Sequence, residues 1–490
     1  MKKTLLALAG IALLIVGCKK AEPITDGTLL LEFGAATQTV DVAGTLTADD
    51  TYDWITMTQS GKQATFTVTT NVTGSIRTAT YTMAGEANTA KFTVTQKSGT
   101  PAIFVKAGED LQKAIDEVKE GFEIHVAGGA TFNGPFMVKK KGTVISGGWD
   151  ETFSKQDPNN LTVVTGQGKG RCFVFGNGYE GTTQAGDTHP KLPFPMVGTG
   201  VAKLSYFELK DGRSQNDAGD HHGSAVYVCG DVEISNCYIH DNKNMGSRRG
   251  AIAIVEAGDW GDDHVSNLTV ANCRIENNSY DNLIYDNYNH GVAVAALGST
   301  STSHSYVTII NNLIVGNMGY DIIDIGPHNY GYVVNNTITG NGIGWAVVNY
   351  ASEALGVIGN NLVVGNTALF IGDKKDGDRV GMSFSLDPLA GDTQISTVQN
   401  FLVEGNIGEG EYVWQSSNAL KDQTIYDKNV KTAVGVELST LFDAKTYAPK
   451  GDALSKASTN PTIMEYIGKY PVDLAGNTWA APMAVGCYLK

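Results

Sequence analysis

The chain has 490 residues, 18% of them charged, with 58 glycines and a net charge of −15 at neutral pH. That balance repels polyanions, and no basic patch with interleaved aromatics offsets it, so nucleic acid is excluded as a partner. The cysteines after Cys18 are widely and irregularly spaced, which fits neither a disulfide framework nor a zinc site.

Lys2 and Lys3 precede an apolar run over residues 5–16. The run is shorter than the ~20 residues of a bilayer span and suits a signal-peptide core. It ends in Ile15-Val16-Gly17-Cys18, which resembles the lipobox of bacterial lipoproteins. The resemblance implies a signal peptide over 1–18, a lipid on Cys18 and a polar tether over 19–27. The chain is then expected at the outer membrane, exposed on the cell surface. An ordinary signal peptide with an incidental cysteine is the alternative. No later segment is long and apolar enough to span a bilayer, so the lipid is the one expected anchor.

Residues 28–98 are rich in Thr and Val and alternate, as in Thr65-Phe66-Thr67-Val68-Thr69, with turn residues at short intervals. The pattern predicts a small β-sandwich. Asp53-Trp54-Ile55-Thr56, the run from Asn71-Val72-Thr73-Gly74-Ser75 to Thr80, and Phe92-Thr93-Val94-Thr95-Gln96 resemble the BACON family, small sandwich domains that precede glycan-active modules of surface lipoproteins. Trp54 is read as a buried sandwich residue in preference to an exposed sugar platform. On that reading the module is a spacer, followed by a linker at 97–101.

Residues 109–119 place Leu111, Ala114, Ile115 and Val118 at helical spacing, which predicts an amphipathic helix ahead of a second domain over 101–490. Five stretches there superpose, led by Asn236, Asn272, Asn311, Asn335 and Asn360, at intervals of 36, 39, 24 and 25 residues. A further asparagine follows each at a fixed offset: Asn242, Asn278, Asn317, Asn341 and Asn366. A period near 24 with insertions predicts a solenoid whose units are rungs of a parallel β-helix. Asn tolerates the left-handed angles of a tight turn, and stacked amides can bond from rung to rung. The region resembles pectate-lyase-like right-handed parallel β-helices, in which such ladders occur. The helix is then the cap of the open end, and Asp473 to Asn477 with Val485 to Tyr488 resembles the closing segment of a secreted β-helix subfamily. The expected fold is all-β. Cys237 and Cys273 share a column position and are expected as buried thiols rather than a disulfide.

A second strand column precedes each asparagine turn. Its outward positions are read as mostly small (Ala225, Ala251, Ala253, Gly291, Ala293, Ala346), with Tyr227 and Asp324 as polar exceptions. The resemblance places a saccharide groove on this sheet. A hydrolase needs two carboxylates about 5–10 Å apart, and the face offers only Asp324 with Asp321 before it, so hydrolysis is not expected. A lyase needs a base and a cation; Arg249, His290 and Asp324 are the candidate catalytic residues. Tyr227, Tyr285, Tyr288 and Arg248 are candidate glycan contacts, and Asp259, Asp262 and Asp263 are candidate calcium ligands. Three readings stay open: glycan binding by a monomer, a lyase acting on uronate-containing polysaccharide, and a structural or adhesive protein.

Overall fold

The computed structural model describes residues 22–490 apart from 74, 177–194, 215–221, 245–249, 255–264, 281–289, 298–303, 351–353, 369–383, 387–400, 410–412, 416–429, 433–435, 480–483 and 489–490. It is all-β in character, and the chain divides into two compact units between Pro101 and Ala102. Among the described residues, no helix is long and apolar enough to cross a membrane.

The first unit has a four-stranded sheet, in the order Gly27–Leu31, Thr89–Gln96, Arg77–Ala84 and Thr45–Ala48. A three-stranded sheet runs in the order Ala36–Asp41, Gln63–Val68 and Ile55–Ser60. Alternate residues of both sheets fill one apolar cluster that includes Leu29, Phe66, Tyr81, Phe92 and Val94. Trp54 belongs to that cluster, with the Arg77 guanidinium 4.5 Å from its ring centroid. The three sequence patterns noted above meet here. Arg77 Nε donates to Gln96 Oε1 at 3.0 Å, and buried Gln96 donates from Nε2 to the carbonyls of Phe33, Gly34 and Thr69, each at 3.0 Å. Asn71 Nδ2 donates to the Ser75 carbonyl at 2.9 Å and the Lys97 carbonyl at 3.1 Å. Part of the expected linker belongs to this unit, because the Lys97 N–H donates to Leu31 and the Gly99 N–H to Asn71.

Among the described residues, the second unit has three parallel sheets of ten strands each. The first sheet runs from Ala102–Val105 to Phe401–Glu404, the second from Thr131–Asn133 to Val430–Thr432, and the third from Phe136–Val138 to Val413–Gln415. The chain visits them in rotation. Val232–Ser235, Tyr238–His240 and Ile252–Ile254 lie in the first, second and third sheets, and Val265–Ala271, Arg274–Glu276 and Val294–Ala296 pair onto them in parallel. Inward residues of all three sheets, such as Ile234, Ile239, Ile252, Val270, Ile275 and Val294, form one continuous apolar cluster. The helix Leu111–Glu117 buries Leu111, Ala114 and Ile115 in the same cluster. It is shorter than expected because Asp110 is its N-cap, accepting from the Lys113 N–H at 3.0 Å, and Val118 turns out of helical geometry.

The turns between the first and second sheets explain the asparagine repeat. Pairing of the flanking strands puts Asn236, Asn272, Asn311, Asn335 and Asn360 in one column, preceded by Tyr206. All six are left-handed, with φ from +52° to +62°. The paired residue beside each supplies the ladder. Asn312 Nδ2 donates to Asn336 Oδ1, Asn336 to Asn361 and Asn361 to Asn406, at 2.9–3.0 Å. After the three-residue strand a second left-handed column follows: Asp211, Asp241, Asn277, Gly316, Gly340 and Gly365. Beyond it runs a second ladder, Asn242 to Asn278 to Asn317 to Asn341 to Asn366, with side-chain bonds of 2.8–3.0 Å. The left-handed residues take the backbone angle and their neighbours most of the rung-to-rung amide bonding, with Asn335 Nδ2 also donating to Asn311 Oδ1 at 2.8 Å. Cys237 and Cys273 occupy the first ladder's column. Both are buried free thiols, and their Sγ atoms donate to the carbonyls of Ser235 at 3.2 Å and Ala271 at 3.3 Å.

The C-terminal part lies along this column. Asn311 Nδ2 donates to the carbonyls of Tyr470 and Val472, and Asn360 Nδ2 to that of Ser458. The helix Pro461–Lys469 buries Ile463 and Ile467 against Ala271, Ile310 and Val334 of the first sheet. The Gly486 N–H donates to Asn360 and the Cys487 N–H to Thr337 Oγ1, so the closing residues flank the stacked strands.

Candidate functional site

In the third sheet the pairing runs Val174, Tyr227, Ala253, Ala295, Asp324 and Asn349, one residue per strand. Ala253, Ala295, Tyr227 and Asp324 therefore share a column, as the sequence reading required of Ala253, Tyr227 and Asp324. Three of the other small residues do not face the same way. Ala225, Ala251 and Ala293 belong to the central apolar cluster, as do Val226, Ile252 and Val294 immediately after them. At Ala225 the cause is a local bulge: the Ala251 carbonyl accepts from the successive N–H groups of Ala225 and Val226, both at 2.9 Å. Strict alternation fails at that point.

The column is covered rather than open. Tyr227, Ala253 and Ala295 are fully buried, and Tyr227 packs with Val174 and Leu297 under the Arg171 guanidinium, 5.0 Å from its ring centroid. The expectation of Tyr227 as a sugar-stacking face is corrected accordingly, since a buried ring has no face to offer.

Further along, His290, Asp321 and Asp324 converge, with one ligand-type atom of each within 4.8 Å of the others. His290 Nδ1 is hydrogen-bonded to Asp321 Oδ2. Asp321 Oδ1 accepts from the Ala346 N–H at 3.3 Å, and Asp324 Oδ1 accepts from Asn349 Nδ2 at 2.9 Å. The Tyr280 hydroxyl donates to the His290 carbonyl at 3.0 Å, and the Tyr320 ring meets the imidazole edge-on at 4.9 Å. Gly291 follows His290 with φ +62°, and a Cβ there would stand 2.9 Å from Asp324 Cβ, so glycine permits the approach of the two segments. Both carboxylates are buried, while the imidazole keeps 17% of its surface exposed. Burial pushes the Asp321 carboxyl up to about 6, with His290 opposing the shift and Asp324 adding to it.

Two of the three candidate catalytic residues, His290 and Asp324, are thus adjacent. The third, Arg249, lies outside the described residues, as do Arg248, Tyr285, Tyr288, Cys18 and the candidate calcium ligands Asp259, Asp262 and Asp263. Asp321 entered the sequence reading only as a neighbour of Asp324, and Asn349 did not enter it. A partly exposed imidazole paired with a buried carboxylate, beside a second buried carboxylate, is equipped for proton transfer or for holding a cation through nitrogen and oxygen.

Comparison with protein-family models, with curated proteins and with solved structures found no match.

Proposed function

We propose that this chain is a surface lipoprotein whose larger unit, a right-handed parallel β-helix of the pectate-lyase-like kind, holds extracellular polysaccharide at the outer side of its third sheet. Cys18 carries the lipid, the BACON-like sandwich is the spacer, and the helix Leu111–Glu117 is the cap. One observation carries the site assignment. Every turn from first to second sheet among the five repeats has two residues, such as Asn311 and Asn312 between Ile310 and Leu313, whereas the long insertions border the third sheet. Residues 215–221, 245–249 and 281–289 lead into its strands, and 255–264 and 298–303 lead out. In a repeat scaffold, insertions gathered on one face mark the binding face, because the stacked strands tolerate no change of length. The same insertions hold Arg248, Arg249, Asp259, Asp262, Asp263, Tyr285 and Tyr288.

A glycan array probed with the soluble form (residues after Cys18) tests this reading. Binding weakened by Tyr285→Ala, Tyr288→Ala or Arg248→Ala supports it. The second reading is elimination from a uronate-containing chain, favoured by the position of His290 beside Asp321. Absorbance of an unsaturated product would establish it, and absorbance that survives both Arg249→Ala and His290→Ala would refute those residues. Silence in both assays over a broad uronate and host-glycan panel leaves the structural or adhesive role.

A further inference from the structure

The His290, Asp321 and Asp324 cluster differs in kind from the aspartate-only loop that the sequence offered for calcium. From its donor set we infer a site for one divalent transition-metal ion, held by these three side chains at the outer side of the third sheet. One imidazole nitrogen and two carboxylate oxygens form the mixed set that zinc and manganese accept, whereas calcium and magnesium prefer oxygen alone.

The spacing is close to what such an ion needs. Two donors about 2.1 Å from one ion stand no more than about 4.2 Å apart. All three pairs already lie within 4.8 Å, so a small side-chain adjustment completes the set. The orienting groups that a metal site needs around its ligands are also in place. The Ala346 N–H fixes Asp321 Oδ1, Asn349 Nδ2 fixes Asp324 Oδ1, and the Tyr280 hydroxyl fixes the backbone of His290. The ligands come from two segments, the residue before Gly291 and the strand Met318–Ile325, which parallel pairing keeps in register.

The inference does not rest on the glycan reading, and its test separates the two. The soluble form is stripped with a chelator and titrated with zinc chloride, with calcium chloride and magnesium chloride as comparisons, by isothermal calorimetry. The expected result is one zinc per chain at the cluster. His290→Ala and Asp324→Asn should each weaken zinc binding by at least about 10-fold, in line with loss of a metal ligand or its support, while Glu208→Gln leaves it unchanged. Asp324→Asn is nearly isosteric and retains an oxygen for Asn349, and hydrogen exchange of the strand Met318–Ile325 verifies that each variant is folded. Equal zinc binding by both variants and the parent overturns the site, as does an absence of stoichiometric zinc. Calcium binding as tight as zinc overturns the transition-metal assignment. Glycan binding by the chelated protein would leave the functional reading intact whichever way zinc behaves.

Discussion

Asn336→Ala tests the ladder most directly. Asn336 is fully buried. Its Nδ2 donates to the carbonyls of Ile309 at 2.8 Å and Val334 at 3.0 Å and to Asn361 Oδ1 at 3.0 Å. Its Oδ1 accepts from the Asn312 N–H at 2.9 Å and Asn312 Nδ2 at 3.0 Å. Truncation does not strand all of these groups. Asn312 Nδ2 keeps the Val270 carbonyl, Val334 keeps the Asn311 N–H, and Asn361 Oδ1 keeps the Asn336 N–H. The Asn312 N–H and the Ile309 carbonyl lose the partner that Asn336 supplied. At about 1–3 kcal/mol for each of the two buried groups so left, the expected destabilisation is about 2–6 kcal/mol. An exposed asparagine would give a change within about 0.5 kcal/mol. Asn336→Asp should cost more, because oxygen would face three acceptors in place of a donor.

The assay can isolate the second unit. Cys172, Cys229, Cys237, Cys273 and Cys487 are buried free thiols, all in that unit, and the soluble form has no cysteine in the first. Pulse labelling of thiols along a urea series therefore reads the unfolding of the three sheets alone. A loss below about 1 kcal/mol for Asn336→Ala would refute the claim that amide bonding holds this column.

Three further outcomes follow from named contacts. Titration of the denatured, unreduced soluble form should find all five cysteines as thiols; finding only three would mean that Cys237 and Cys273 are bridged. Gln96→Ala removes the donor shared by three carbonyls in the first unit and should destabilise it by about 2–4 kcal/mol, read as faster hydrogen exchange in the strand Thr89–Gln96; unchanged exchange would argue against that network. Burial raises the Glu208 carboxyl, but hydrogen bonds from Lys210 and His240 outweigh it and hold the group below 4.5. Its contribution is therefore present above the unfolded value and lost as pH falls through the lower, folded one. Labelling with a pyridyl disulfide below pH 4.5 should show less acid sensitivity in Glu208→Gln, and a profile equal to that of the parent would contradict the assignment.

Much of the larger unit was legible locally. Left-handed corners call for Asn or Gly, the corners recur at each passage of the chain, and so the asparagines mark them in the sequence. Tyr206 stands in the same column unannounced, because its conformation is imposed by the neighbouring strands rather than favoured by its own side chain. The same distinction governs the candidate site. In a regular strand Asp321 and Asp324, three residues apart, point to opposite faces. The successive inward packing of Ile322 and Ile323 breaks the alternation between them and brings the two carboxylates together. Asn349 lies 25 residues away in the chain from Asp324 and reaches it only through parallel pairing. The sequence by itself determined which turns the backbone makes, because those depend on each residue's own allowed angles. Only the tertiary structure decided which side chains share a face, because a single bulge reverses that parity and a partner strand supplies the remaining neighbours.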